Sequence, residues 1–382
     1  MMHVVFRVDS SSIIGYGHAM RCLTLANALM TKGAQISFIC RKHQGHINHF
    51  IIEQNYSLTS LPEGSRDIVQ HDSDTWLGCT SEEDAQQTIR VLETISPIDY
   101  VIADHYAIDA TWHSLVARYC RKLVVIDDLA NRPLLCDVLL DQTLNRCAKS
   151  YQHLVSEHCT MLLGKDYMLL RNEFNDYRTQ AITQREMRSR QLGKNNSNAH
   201  IMISMGGSDP DNLSKLALLA LEKLRATMPN IQASLVISSQ SIHFNSIQSI
   251  CNRLMWCTLV VDSKDMASQM IEADIAIGAS GSTAWERCCL GLPCLTTVNA
   301  KNQLLIAKNL NSSGATINLG WHKDISSAMI CDQIEQLILR PAQYKMMVKN
   351  CFNICDGLGA HRVANILIDR ISEDCINETC NL

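Results

Sequence analysis

The sequence lacks long apolar runs, a basic leader and any excess of positive charge. Its apolar stretches, such as residues 271–279, are too short to span a bilayer. No basic segment followed by an apolar core begins the chain, so we expect no signal peptide. The net charge of −4 provides no basic surface for nucleic acid. These absences predict a cytoplasmic protein that binds neither membranes nor nucleic acid.

Several cofactor and metal signatures are also missing. The 17 cysteines include no Cys-x-x-Cys pair, which favours reduced core cysteines over disulfides or a zinc site. No other His, Cys or carboxylate cluster has metal-site spacing. The chain lacks the Gly-Lys-Ser/Thr end of a P-loop, and Met20 stands where a dinucleotide fingerprint needs its third glycine. We therefore expect no metal and no cofactor.

What the chain does contain is an alternation of short apolar strands and helical segments. Its 382 residues, 46% hydrophobic and 19% charged, suffice for two domains. The alternation predicts parallel β/α units. The predicted strands are residues 4–8, 36–40, 100–104, 123–127, 138–140, 201–205, 233–238, 259–261, 274–278 and 293–298.

The predicted fold class is α/β, with two doubly wound, Rossmann-like domains facing a central cleft. We assign residues 1–180 to an N-terminal domain and 200–345 to a C-terminal domain. The polar, charged residues 181–199 interrupt the pattern and predict a linker or an exposed loop. Residues 346–382 are predicted as helices that pack back on the N-terminal domain. Ligands of such sheets bind beyond the carboxyl ends of the strands, so the loops there are the candidates for function.

The first of these loops runs from Asp9 to His18. It follows the first strand, contains Gly15 and Gly17, and leads into a helix that carries His18 near its start. Glycines let backbone approach a ligand, and helix N-termini favour anions. A histidine there can move a proton near neutral pH. The alternative is an ordinary strand–helix turn with a surface histidine.

Two further loops carry small residues. Gly206, Gly207 and Ser208 follow a strand, and Asp211 or Asn212 is predicted to cap the next helix. The strongest candidate is the run Ser280, Gly281, Ser282 and Thr283 at a helix start, where backbone N–H groups and hydroxyls can hold a diphosphate. Glu286, about one turn into that helix, is placed to accept hydrogen bonds from ribose hydroxyls. A tight turn and a helix-dipole carboxylate are the alternatives.

Several motifs together resemble the UDP-2,4-diacetamido-2,4,6-trideoxy-β-L-altropyranose hydrolases of pseudaminic acid biosynthesis. The opening segment from Phe6 to Arg21 is the most specific of them. The other motifs follow in order and span nearly the whole chain: Asp104-His105-Tyr106, Asp127-Asp128, 205–209, 281–288, Asn302-Gln303 and 356–363. The glycine–serine blocks are shared more widely with GT-B glycosyltransferases. The charged segment 183–197 and the tail after Arg370 depart from the family's pattern.

The resemblance implies a GT-B fold in which the C-terminal domain holds UDP. Matched residue by residue, it makes His18 the catalytic base. The implied sugar-side residues are Asp9, Gly17, Arg21, Tyr106, Asn302 and Gln303. The implied UDP-side residues are Gly206, Gly207, Ser208, Ser280, Gly281, Ser282, Thr283 and Glu286, with Val261 and Met266 at the uracil.

The implied reaction is hydrolysis of the UDP-sugar by a monomeric, metal-independent enzyme. His18 would activate a water that attacks the anomeric carbon with inversion, and Asp9 is a candidate to orient His18. A GT-B glycosyltransferase with an unidentified acceptor is the main alternative. A UDP-sugar 2-epimerase and a catalytically silent nucleotide-sugar-binding protein are the others.

Overall fold

A computed structural model of the chain describes residues 2–69, 72–193, 197–206 and 209–380, with side chains through residue 371. The chain divides into two compact units. The first comprises residues 1–170 and 358–382, and the second comprises residues 171–357. Each unit is built around one parallel sheet, as the alternating pattern predicted.

The first unit has the strand order β3-β2-β1-β4-β5-β6-β7, with all described pairs parallel. Its strands are β1 His3–Val8, β2 Gln35–Arg41, β3 Ser57–Leu61, β4 Tyr100–Asp104, β5 Lys122–Ile126, β6 Val138–Asp141 and β7 Thr160–Leu163. Its helices are α1 Gly17–Met30, α2 Asn48–Glu53, α3 Ser81–Ile95, α4 Ala110–Val116 and α14 Gly359–Cys380. The Thr80 hydroxyl accepts a hydrogen bond from the Glu83 N–H and caps α3, because threonine can satisfy a free N–H at a helix start.

The second unit has the strand order β10-β9-β8-β11-β12-β13, also parallel. Its strands are β8 Ala199–Ser204, β9 Ile231–Ile237, β10 Cys257–Val261, β11 Ile275–Ala279, β12 Cys294–Val298 and β13 Thr316–Trp321. Its helices are α5 Asn172–Asp176, α6 Arg178–Gln191, α7 Leu213–Leu224, α8 Phe244–Cys251, α9 Met266–Glu272, α10 Thr283–Cys289, α11 Leu304–Ser312, α12 Ser327–Leu339 and α13 Pro341–Ile354. Short 3-10 helices lie at Ser73–Thr75, Ala117–Tyr119, Ala148–Tyr151, Lys165–Tyr167, Lys301–Gln303 and His322–Asp324.

Both sheets change winding direction at their centres. The crossover lies between β1 and β4 in the first unit and between β8 and β11 in the second. Loops at the carboxyl ends of such neighbouring strands diverge and leave a crevice that binds ligands. The loops predicted to be functional are those that follow β1, β8 and β11.

The segment predicted as a linker is largely helix α6, and the division of the chain falls at residue 170 instead. The charges of α6 do not mark a loop because two of the arginines of this helix are bound to helix ends within the second unit. Arg178 donates to the Cys289 and Phe352 carbonyls, and Arg185 donates to the Met270 and Leu290 carbonyls. Cations are favourable beside the unsatisfied carbonyls at helix carboxyl ends.

Helix α14 belongs to the first unit. Val363, Ala364 and Leu367 are fully buried in the same apolar cluster as β1 and α1. The Tyr100 hydroxyl also donates to the Leu367 carbonyl at 2.8 Å. Among the described residues, no helix combines the length and the apolar composition that a bilayer crossing requires.

Candidate active site

The first unit presents His18 from a tightly folded loop. In the loop that follows β1, the Gly15 N–H donates to the Ser11 carbonyl at 2.9 Å, and the Ser11 hydroxyl accepts from the Ile14 N–H. Gly15 has φ +84°, a conformation that glycine adopts without steric cost. Gly17 then begins α1, and His18 follows as its second residue. The loop thus fixes where the imidazole stands.

His18 is oriented by Asp104, the last residue of β4. The His18 Nδ1 lies 2.6 Å from Asp104 Oδ1, and both side chains are buried. A carboxylate at Nδ1 favours the tautomer with hydrogen there, so Nε2 keeps the lone pair of a general base. The proposed orientation by Asp9 is wrong, because both oxygens of that carboxylate bind the Arg7 guanidinium, at 2.5 and 2.9 Å.

Arg21 lies one helical turn beyond His18 and ties the pair to a second carboxylate. Its guanidinium donates to both oxygens of Asp104 at 2.6 Å and to Asp128 at 2.9 Å. Burial favours the neutral acid, but the charges and hydrogen bonds of Arg21 and His18 together outweigh it and hold the pKa of Asp104 well below its ordinary value. Asp104 is therefore a fixed anion beside the imidazole, and it stabilises the charge that His18 acquires when it takes a proton.

Tyr106 packs against His18. The two rings meet edge to face with centroids 4.5 Å apart, and the Tyr106 hydroxyl donates to Asp128 at 2.5 Å. Trp76 stacks on the other side of Tyr106 at 5.7 Å. The structure therefore brings the predicted catalytic base, His18, together with two of the predicted sugar-side residues, Arg21 and Tyr106.

Asp9 belongs to a separate buried network at the same sheet edge. Arg7 bridges Asp9 and Asp84, and Asp84 also accepts from Arg41 at 2.6 Å. Asp9 Oδ1 accepts from the Arg41 backbone N–H at 2.6 Å, which joins the ends of β1 and β2. Asp9 therefore anchors the start of the loop and does not contact the imidazole of His18.

In the second unit, the small-residue run follows β11. Ser280 is fully buried, its N–H donates to the Thr297 carbonyl, and its hydroxyl has no partner among the described residues. Gly281 and Ser282 are more exposed, and Thr283 begins α10. A free buried hydroxyl beside an open turn is the kind of donor that an anion can use.

The glycine–serine loop after β8 is described only in part. Gly206 has φ +93°, and no atom of the described residues lies within 4 Å of the position a Cβ would take. Gly207 and Ser208 lie outside the described residues. The predicted capping of α7 by the Asn212 or Asp211 side chain is wrong. Asp209 accepts instead from the N–H groups of Leu213 and Ser214, at 2.9 and 3.0 Å, whereas Asn212, whose backbone is left-handed, makes no side-chain capping bond.

Glu286 faces an arginine in the second unit. Its Oε1 lies 3.4 Å from Arg171 Nη2, while its Oε2 is buried without a partner among the described residues. Burial raises the pKa of Glu286, and the charges of Arg171 and Arg287 oppose that rise. A buried oxygen without a hydrogen bond is costly, and a ligand hydroxyl would relieve this cost.

The remaining predicted residues stand around the same sheet edge. Val261 ends β10 and is exposed, and Met266 is the first residue of α9. Asn302 and Gln303 form a single 3-10 turn after β12, where Gln303 Oε1 accepts from the Asn299 N–H at 2.9 Å. The Gln303 amide nitrogen lies 3.9 Å from the position a Gly281 Cβ would take. Gln303 is therefore beside the small-residue run.

Sequence reasoning assigned no role to Asp104, Asp128 or Arg171. Asp104 is the last residue of β4 and Asp128 is the second residue after β5, and acidic residues at strand ends in such sheets are a signal that could have identified them. Arg171 has no comparable signal, since its pairing with Glu286 spans 115 residues.

Comparisons with known proteins agree with the division of the chain into two units. Residues 200–360 match the family described as Glycosyltransferase family 28 C-terminal domain. The chain is 26% identical over 82% of its length to the UDP-2,4-diacetamido-2,4,6-trideoxy-β-L-altropyranose hydrolase of Campylobacter jejuni, with 97% of that protein covered. It is also 26% identical over 55% of its length to the spore coat polysaccharide biosynthesis protein SpsG of Bacillus subtilis, with 59% of that protein covered.

Solved structures share the fold at low sequence identity. The glycotransferase of kitacinnamycin superimposes with a TM-score of 0.67 at 13% identity, over 97% of this chain and 98% of that one. The MnaA–UDP structure from S. aureus gives a TM-score of 0.65 at 10% identity, over 97% of each chain. The predicted two-domain α/β architecture of GT-B type is thereby confirmed, and so is the resemblance that the motifs indicated: most of the chain is similar in sequence to a UDP-sugar hydrolase.

Proposed function

We propose that this chain hydrolyses a UDP-sugar, with His18 as the general base. The observation that carries the proposal is the buried His18–Asp104 pair at 2.6 Å. It supplies an imidazole held by a buried carboxylate at the carboxyl edge of the first sheet. The sequence similarity to the Campylobacter hydrolase supports water, rather than a sugar or lipid hydroxyl, as the nucleophile.

In the proposed reaction, His18 Nε2 takes a proton from a water molecule as its oxygen attacks the anomeric carbon. The bond between that carbon and the diphosphate oxygen breaks, and UDP leaves with the bonding electron pair. Attack opposite the leaving group inverts the anomeric centre. General-base catalysis contributes roughly 10²–10⁴ in rate, and Asp104 stabilises the imidazolium that forms.

The second unit is proposed to bind UDP. The hydroxyls of Ser280, Ser282 and Thr283 and the backbone N–H groups of residues 281–283, with the loop at residues 206–208, would hold the diphosphate and stabilise its charge as it leaves. Glu286 would accept hydrogen bonds from the ribose, and Val261 and Met266 would contact the uracil. Two observations support this assignment: the match of residues 200–360 to the family 28 C-terminal domain, and the oxygens of Ser280 and Glu286 that find no hydrogen-bond partner in the described part of the chain.

We propose UDP-2,4-diacetamido-2,4,6-trideoxy-β-L-altropyranose as the substrate, as in pseudaminic acid biosynthesis. The product would then be 2,4-diacetamido-2,4,6-trideoxy-L-altrose. Tyr106, Gly17, Arg21, Asn302 and Gln303 would face the sugar.

The deciding experiment measures UDP release from this substrate, with a chelator present and no acceptor added. We expect rapid release by the wild type, a loss of roughly 10²–10⁴ in His18→Gln, and unchanged activity in His158→Gln. His158 is an exposed histidine of the same unit and serves as the matched control. NMR of the first sugar anomer formed tests the inversion.

Tight UDP binding without UDP release would overturn hydrolysis of this substrate. Release that appears only after an acceptor is added would assign the chain as a glycosyltransferase. Release that the chelator abolishes would contradict metal independence alone.

A further inference from the structure

Arg287 is a buried cation beneath the small-residue run of the second unit. It is the fifth residue of α10 and is only 2% exposed. Burying a guanidinium is costly unless hydrogen bonds and negative charge compensate it. The surroundings of this side chain therefore indicate what the site is built to receive.

The hydrogen bonds of Arg287 go to the two ends of the run. Its Nη2 donates to the Ala279 carbonyl at 2.7 Å, and its Nη1 donates to the Thr283 hydroxyl oxygen at 3.2 Å. The turn at Ser280–Ser282 lies between these two anchors. One side chain thus fixes both ends of the loop.

The positive charge of Arg287 is only partly compensated. Within the described part of the chain, both of its hydrogen bonds go to uncharged oxygens, and its Nε has no hydrogen-bond partner. Its charge does act through space on Glu286, whose pKa it lowers against the larger effect of burial. Beside it, the buried Ser280 hydroxyl is also unpartnered. A buried cation and a free hydroxyl at one turn are the two groups that an anion would satisfy.

The hydrogen bond from Arg287 also sets the direction of the Thr283 hydroxyl. Because Thr283 Oγ1 accepts from the guanidinium, its own hydrogen is left for a different acceptor. Gly278 makes room for this arrangement, since a Cβ there would lie 2.8 Å from Arg287 Nη1. The guanidinium therefore occupies a space that the neighbouring strand leaves open.

We propose that Arg287 is the positioning residue of the diphosphate loop: it holds Ala279 and Thr283 in place and supplies the positive charge that the diphosphate of the nucleotide neutralises. This inference rests on the proposed function and deepens it. It assigns the recognition of the diphosphate to a buried side chain as well as to the backbone and hydroxyls of the loop.

The test compares the affinities of UDP, UMP and uridine by calorimetry, with ligand-observed NMR for the weakest. In Arg287→Met we expect UDP affinity to fall roughly 10- to 100-fold, since a charge-assisted interaction is lost. The affinity for UMP should fall less, and the affinity for uridine should not change. Arg287→Lys should lie between, because an ammonium keeps the charge but cannot span both anchors. The exposed Arg253→Met in the same unit is the control and should change none of the three affinities.

Thr283→Val provides a second route that leaves Arg287 in place. It should lower UDP affinity in the wild-type background, and the loss in the double variant should be smaller than the sum of the two single losses, because the two side chains share one hydrogen bond. This variant and Arg287→Lys decide the question if Arg287→Met does not fold.

Equal losses for UDP, UMP and uridine in the Arg287 variants would overturn the inference, because they would show a general structural role. Unchanged UDP affinity would overturn it as well. A wild-type protein that binds UDP no better than uridine would instead contradict the proposed UDP site itself, so the two failures are distinguishable.

Discussion

The two sheets of this protein have the same parallel, doubly wound topology but different chemistry at their carboxyl edges. In the first unit, the residues after the strands are charged, buried and paired, as with His18, Asp104 and Arg21. In the second unit, the corresponding turn at residues 280–283 has small residues and a hydroxyl, that of Ser280, with no hydrogen-bond partner among the residues that the structure describes. A histidine oriented by a fixed anion is suited to proton transfer. Open backbone and hydroxyl donors are suited to holding phosphate without moving a proton.

This difference shows how one architecture separates two tasks. Proton transfer needs a side chain held in one orientation, which buried ion pairs provide. Anion binding needs close approach of backbone, which side chains would obstruct. Variants at the first edge should therefore change the rate constant, whereas variants at the second should change UDP affinity.

The largest effect is expected for Asp104→Asn. The amide removes the anion that fixes the His18 tautomer and stabilises the imidazolium, so kcat should fall by roughly 10²–10⁴. UDP affinity should remain within about twofold of wild type if the two edges work independently. Steady-state kinetics and calorimetric UDP binding check both. A variant that keeps kcat and loses UDP affinity would reverse the assignment of tasks.

The next effect concerns stability against acid. Arg7 and Arg41 outweigh burial and hold the pKa of Asp84 below its ordinary value, whereas burial raises the pKa of Asp274 in the second unit. A lowered pKa means that the folded state binds fewer protons than the unfolded state. The contribution of Asp84 is therefore present above about pH 4 and is lost as the pH falls further. The pKa of Asp274 is raised, so at this residue the folded state binds more protons than the unfolded state. Its contribution to stability therefore becomes more favourable as the pH falls.

We thus expect the first unit to lose stability before the second as the pH falls from 5 to 3. Asp84→Asn should destabilise the first unit by roughly 3–5 kcal/mol at pH 7 and flatten this acid dependence, because Arg7 and Arg41 lose a shared buried anion. Thermal unfolding with fragment-resolved proteolysis assigns the transitions. Equal acid sensitivity of the two units would contradict this difference.

The smallest effect is expected for Glu286→Gln. An amide accepts hydrogen bonds from ribose hydroxyls more weakly than a carboxylate, so UDP affinity should fall about tenfold. The affinity for a 2′,3′-dideoxy analogue of UDP should change little. Calorimetry with both nucleotides separates ribose recognition from a general loss of folding. Equal losses for the two would argue against a ribose contact.

The sequence predicted the strands at the centre of each sheet and missed β3, β7 and β13. All three lie at sheet edges. Edge strands have one face or side in water, so their apolar pattern is weaker; in β3, most residues are exposed or only half-buried. The charged segment at residues 183–197 was predicted as a linker or loop, although most of it is helix α6, for a related reason. Periodicity reports exposure to solvent, whereas Arg185 is buried against backbone carbonyls that only the folded chain brings near it.

The sequence by itself determined the alternating architecture, the glycine- and hydroxyl-rich turns and the place of His18 at the start of α1. These features depend on neighbours within a few residues, so local composition encodes them. Only the tertiary structure decided which charges meet. Asp104 lies 86 residues from His18, and Glu286 lies 115 residues from Arg171. Such pairs depend on strand order and register, which bring the ends of distant strands and helices together and make Asp104, not Asp9, the partner of the histidine.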